Sequence, residues 1–237
     1  MDIKEFCLAH GFDMSKCGVA LGGGSFGMTE LKTSPVDFLT LAEDDFERGG
    51  FGALVNATTN AKRAIVCQLD QLLISFGYPS LRWNVPKKIE RLRALGLLAP
   101  SLLRKVVDIR NILEHDYAIP ELEKVEEALD IASLFVMSAS AAFIPFDDVL
   151  EFSLPDLEVK ERSVNRVSAG LNREPGRVFY TVYAYESCKY AGRCVGQCEI
   201  QSGHILFEAM VKLSASLMFR YKVNQALSDF EAAYAKL

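Results

Sequence analysis

Apolar residues recur at spacings of three and four from about position 34 to position 144, and strand-like runs appear only after that. The helical period opens at Ser34-Pro35, an N-cap followed by proline at the first helical position, with Asp37 in the first turn. Phe38, Leu39, Leu41 and Phe46 carry its apolar positions until Gly49-Gly50 closes the segment. Leu54, Ala57, Ala61, Ala64, Ile65, Leu69, Leu72 and Leu73 then predict an amphipathic helix of about six turns over residues 54–76. Asn84-Val85-Pro86 opens a third helix over 87–95, stopped by Gly96. Pro100 opens a fourth that runs through Glu114, and Pro120 a fifth to about Phe143, ended by Pro145. Five helices on short connections predict a bundle.

Beyond Pro145 the texture changes. Residues 152–161 read as a linker or strand, and 177–185 (RVFYTVYAY) as the best strand in the chain. Residues 194–200 and 204–207 suggest further strands, and 228–236 a last helix. Ahead of the helices, 18–34 (GVALGGGSFGMTELKTS) reads as a short strand, a hairpin or a lead-in. Its glycines suggest a phosphate loop, but the Gly-Lys-Ser/Thr ending of that motif is missing. The expected fold class is therefore mainly α. It has a Gly-rich lead-in over 1–34, a helical bundle of about five helices over 35–145 and a small α+β region over 146–237.

Composition narrows the chemistry. In 237 residues, 26 basic and 31 acidic side chains give a formal charge of −5, which excludes a wholly basic surface. No basic segment followed by a long apolar run opens the chain, and apolar runs stay short of the roughly 18–20 residues that span a bilayer. A cytoplasmic protein without a membrane partner is expected. Cys7, Cys17, Cys67, Cys188, Cys194 and Cys198 read as free thiols. Cys188, Cys194, Cys198 and His204 are enough ligands for zinc, yet their spacing matches no common finger, and no metal or cofactor is expected. Tyr180, Tyr183, Tyr185 and Tyr190, beside Arg177, Lys189 and Arg193, are either the core and cross-strand pairs of a sheet or a stacking surface for single-stranded RNA.

The charge is unevenly placed. Residues 81–110 carry Arg82, Lys87, Lys88, Arg91, Arg93, Arg104, Lys105 and Arg110 against Glu90 and Asp108, a local excess of +6. Residues 111–161 carry a net −11. The third and fourth helices are thus the basic surface of an acidic protein. They either hold a phosphate backbone, with Lys87, Lys88, Arg91, Arg104 and Lys105 as its track, or pair with the acidic fifth helix.

At the end of the fourth helix stands Asp108-Ile-Arg-Asn-Ile-Leu-Glu-His-Asp-Tyr117. Arginine followed five positions later by histidine is a weak pattern, but Asn111 directly after Arg110 and Tyr117 two past His115 make it specific. Leu102, Val106, Ile109 and Leu113 take the core side. At about 100° per residue, Asn111 and His115 share a face, roughly 40° apart, whereas Arg110 lies about 140° from His115. A long guanidinium can reach round, and a second copy across a two-fold axis can complete the site. The helix end, Glu114 and Asp116 all favour a protonated His115. Imidazole can take the proton of a ribose 2′-OH, and arginine can stabilise charge growing on phosphate oxygens. The same groups can equally cap the helix, with His and Arg bonding its last carbonyls.

Arg110, Asn111, His115 and Tyr117, in the form RNxxxHxY, resemble the motif of the HEPN superfamily, and residues 35–144 resemble its helical bundle. The form with Tyr117 is similar to HEPN toxins paired with a nucleotidyltransferase antitoxin. The resemblance implies a homodimer that pairs two motifs at one cleft, and metal-independent endoribonuclease activity leaving a 2′,3′-cyclic phosphate. His115 is then the general base, Arg110 the transition-state stabiliser, Asn111 an orienting residue and Tyr117 a residue that tunes the site or accepts a modification. Such toxins are little more than the bundle, and this chain has long extensions on either side of it. The alternative is a non-catalytic dimerisation or partner-binding module on the same fold.

Overall fold

In a computed structural model of the chain, which describes residues 3–97, 121–143, 146–154, 164–186 and 192–237, α1 (Ile3–Ala9) is followed by a turn at Met14–Lys16 and by strand β1 (Gly18–Ser25). Ser34 then opens α2 (Pro35–Arg48) as its spacing predicts. The Asp37 amide donates to Ser34 Oγ at 3.1 Å and the Ser34 amide to Asp37 Oδ2 at 2.7 Å, so each residue satisfies an orphan donor of the other. α3 (Phe51–Ser75) is the 25-residue axis of the helical layer. Its buried Ala57, Ala61 and Ala64 present small side chains to its neighbours, and α2, α4 (Val85–Ala94) and α5 (Leu122–Phe143) all pack on it. Asn84 caps α4 by accepting the Lys87 amide at 2.9 Å, and Gly96 ends the segment with φ +74°, pressed against Lys212. The fourth predicted helix, opened by Pro100, lies outside the described residues.

The sheet overturns the expected fold class. Strands β2 (Asp147–Ser153), β3 (Val164–Glu174), β4 (Arg177–Glu186) and β5 (Arg193–Gln201) join β1 in one five-stranded antiparallel sheet, ordered β1-β2-β3-β4-β5. With α6 (Ile205–Met218) and α7 (Val223–Ala235), the described residues hold seven helices and five strands. The sheet is a substantial part of the architecture, not a small appendix to a bundle. β1 pairs with β2 from Gly18 opposite Ser153 to Gly22 opposite Val149, so a segment from ahead of the helices supplies the edge of a sheet built after them. Residues 204–207, expected as a strand, instead begin α6. His204 is its N-cap, and Nδ1 accepts the Leu206 amide at 3.2 Å.

One sheet face is the core. Leu150, Phe152, Val167, Tyr180, Val182 and Ile200 are buried on it, Phe152 stacking on Phe230 of α7 at 5.2 Å and Tyr180 meeting Phe207 of α6 at 5.4 Å. α1 lies on the same side: a Cβ at Gly196 would fall 2.7 Å from His10 Nε2 and 3.0 Å from Phe6. A triangle of Phe26, Phe76 and Phe146, with ring centroids 5.6–6.5 Å apart, carries the core from the end of α3 to the start of β2. Each such ring contributes about 1.5–3 kcal/mol by leaving water. The two-residue turn Pro175-Gly176 joins β3 to β4, with Gly176 at φ +81° following a proline as a type II turn needs.

Candidate functional site

Arg110, Asn111, His115 and Tyr117, with Arg104 and Lys105 of the expected RNA track, lie outside the described residues. What the structure describes is their frame. α4 precedes the segment, α5 follows it, and both are held on α3.

On the basic helix α4, the three expected track residues have different fates. Lys87 is exposed, its ammonium 4.2 Å above the Trp83 ring, where the cation–π contact leaves the charge accessible. Lys88 is buried. Its Nζ lies 2.6 Å from Asp70 Oδ2, and Ser80 donates to the other carboxylate oxygen at 2.5 Å. Lys88 therefore ties α4 to α3 and has no charge left to offer a phosphate. Arg91 donates to Glu208 of α6 and lies over the Tyr78 ring at 5.2 Å. Tyr78 donates to the same carboxylate at 3.2 Å, and burial together with that carboxylate pushes its phenol above the usual range. Arg82 and Arg93, counted in the local excess but left out of the expected track, are exposed and make no ion pair among the described residues. Lys87 and Arg93, flanking Glu90 on the outward side of α4, are the cations the helix presents. Their exposure was hidden in the sequence because α4 is basic on both its faces.

An open cleft of about 550 Å³ lies between the end of α3 and the β3–β4 turn, lined by Ile74, Tyr78, Pro79, Arg173 and Val178 among others. Its cations are engaged. Arg173 donates to the Gly27 and Ser75 carbonyls at 2.8 and 3.2 Å, and its burial lowers the guanidinium's affinity for its proton. Arg177 is held by Glu174 and Glu199 at 2.8 and 2.9 Å.

Burial raises the Cys7 thiol to about 11 and the Cys17 thiol to about 12, leaving both protonated and unreactive at neutral pH. Among the described residues no three metal-ligating side chains converge. Cys194 stands opposite Tyr185 and Cys198 opposite Val182, across an irregularity in the β4–β5 pairing that sends them to opposite faces. Cys188 lies outside the described residues, and His204 is occupied as a cap. No described helix is long and apolar enough to cross a membrane. The expected aromatic group also divides. Tyr180 is core, whereas Tyr183 and Tyr185 are half-buried on the outer face of β4; Tyr190 and Lys189 lie outside the described residues.

Comparison of the chain with protein families, curated proteins and solved structures gives no match.

Proposed function

We propose that the protein is a metal-independent endoribonuclease, acting as a homodimer on RNA in a toxin–antitoxin or defence setting. The observation that carries the reading is RNxxxHxY at Arg110, Asn111, His115 and Tyr117, directly after the most basic stretch of the chain. In the reaction the ribose 2′-oxygen bonds to phosphorus as the 5′-oxygen bond breaks. His115 takes the 2′-OH proton, the departing 5′-oxygen gains a proton, and Arg110 holds the charge on the non-bridging oxygens. The ends are a 2′,3′-cyclic phosphate and a 5′-hydroxyl. Asn111 orients the phosphate or the imidazole, and Tyr117 is the place where a nucleotidyltransferase antitoxin would act.

Mixing Arg110→Ala and His115→Ala proteins tests this together with the dimer. If two chains share one cleft, mixed dimers regain part of the cleavage that each variant lacks alone. If each variant cleaves as the wild type does, the reading fails.

A second reading has its own observation. Lys88 and Arg91, two of five expected RNA contacts, are spent on Asp70 and Glu208. A basic helix whose charge holds the fold together suits a non-catalytic dimerisation or partner-binding module. That reading expects His115→Ala to lower the melting temperature and alter no RNA.

A further inference from the structure

At one end of the outer sheet face, Arg177 lies over Phe179 at 4.1 Å, and Glu174 and Glu199 neutralise it. At the other end a like arrangement recurs. Arg166 lies over Tyr185 at 4.7 Å and makes no ion pair among the described residues, whereas Arg193, paired with Glu186 beside the buried Val164, falls on the core-side row. Tyr183 and Tyr185 sit two positions apart on β4 with ring centroids 6.4 Å apart, both half-buried and facing outward. Their neighbours on β3 are Ser168 and Arg166, with Gly170 beyond. Gln197 of β5 stands opposite Tyr183. Among the described residues, Glu186 is the acid nearest this end; Glu151 lies two strands away on β2, and Glu199 is already paired with Arg177.

Two tyrosine rings on one sheet face, beside a guanidinium with no carboxylate partner among the described residues, match one ligand chemistry well: stacked bases carrying a negative backbone. We propose that Tyr183, Tyr185 and Arg166 form a stacking platform for single-stranded RNA on the outer face of the sheet. The proposal rests on the endoribonuclease reading for its choice of RNA, and it supplies that enzyme with a substrate-holding surface apart from the Arg110–His115 motif. Tyr183 takes one base and the Tyr185–Arg166 pair takes the next, with the guanidinium beside its phosphate.

The test is fluorescence anisotropy of a labelled 2′-O-methyl RNA 12-mer, which 2′-OH chemistry cannot cut, with the full chain. Wild type is expected to bind. Tyr183→Leu/Tyr185→Leu is expected to weaken binding at least about tenfold, and Arg166→Gln to lower its salt slope by about one. Tyr185→Trp keeps a stacking ring and is expected to bind as well as wild type, with its indole emission quenched by RNA. It guards against a leucine variant that merely misfolds. No binding by wild type, or equal binding by a folded double-leucine variant, overturns the platform. Cleavage of ordinary RNA, scored in parallel, separates the two ideas. Tyrosine-dependent binding without cleavage keeps the platform and removes the nuclease, and cleavage with tyrosine-independent binding does the reverse.

Discussion

Lys88 Nζ sits 2.6 Å from Asp70 Oδ2, with the two side chains 3% and 8% exposed, so the basic helix is fastened to the central helix by an ion pair out of reach of water. Ser80 completes the carboxylate's partners. Removing one member strips the other of its ionic partner inside the protein. Lys88→Met is expected to cost about 3–5 kcal/mol, and pairing it with Asp70→Leu should return much of that. Urea unfolding of the wild type and the two variants checks both statements.

Loss of Lys87 and Arg93 should act on RNA and spare the fold. Both are exposed on α4 and have no carboxylate partner among the described residues. Lys87→Gln/Arg93→Gln is expected to leave the melting temperature within a degree or two and to reduce the salt slope of RNA binding by about two. An unchanged slope would move the RNA track off this helix.

The α2 cap gives a pH signature. Hydrogen bonds from the Ser34 backbone and hydroxyl hold the Asp37 carboxyl below the usual carboxylate range. A depressed folded value means its contribution is present above the unfolded pKa and is lost as pH falls through the folded one. Ser34→Ala is expected to cost about 1 kcal/mol at pH 7. That difference should shrink under acid, as thermal melts across pH 7 to 3 would show.

The thiols titrate the other way. Cys7 and Cys17 are raised to about 11 and about 12, chiefly by burial, against about 8.5 for an unfolded thiol. The unfolded chain therefore loses those protons first. Stability from keeping them is fully present below about 8.5 and falls as pH rises toward 11–12. Cys194, exposed on β5, should react with a thiol reagent at pH 8 far faster than Cys7 or Cys17 in the native protein. Mass mapping of early labelling reads this directly.

How much of this the residues foretold depends on the element. α2, α3, α4 and α5 were legible because caps and 3.6-residue periodicity coincide: Ser34, Asn84, Gly49 and Gly96 mark ends that the structure keeps. β4 was legible through its β-branched and aromatic run. β3 was not, since Val167-Ser-Ala-Gly-Leu171-Asn alternates faithfully but with small side chains that carry little strand preference. β1 was legible only as one of three alternatives, a short strand, because Gly22, Gly23 and Gly24 become a sheet edge through β2, more than a hundred residues later, which supplies the register. α6 is apolar on nearly every side, so its opening read as a short buried strand. On the candidate site, composition showed the charge of α4 without showing that Lys88 and Arg91 point to Asp70 and Glu208, partners set by tertiary packing.

Incubating purified wild type and His115→Ala with labelled tRNA and mRNA in EDTA, then mapping the cut ends, decides whether His115 cuts RNA. Cleavage by wild type alone is expected, with 2′,3′-cyclic phosphate and 5′-hydroxyl termini. Intact RNA with unmodified wild-type protein, its mass checked in the same preparation, or equal cleavage by a folded His115→Ala dimer, would contradict it.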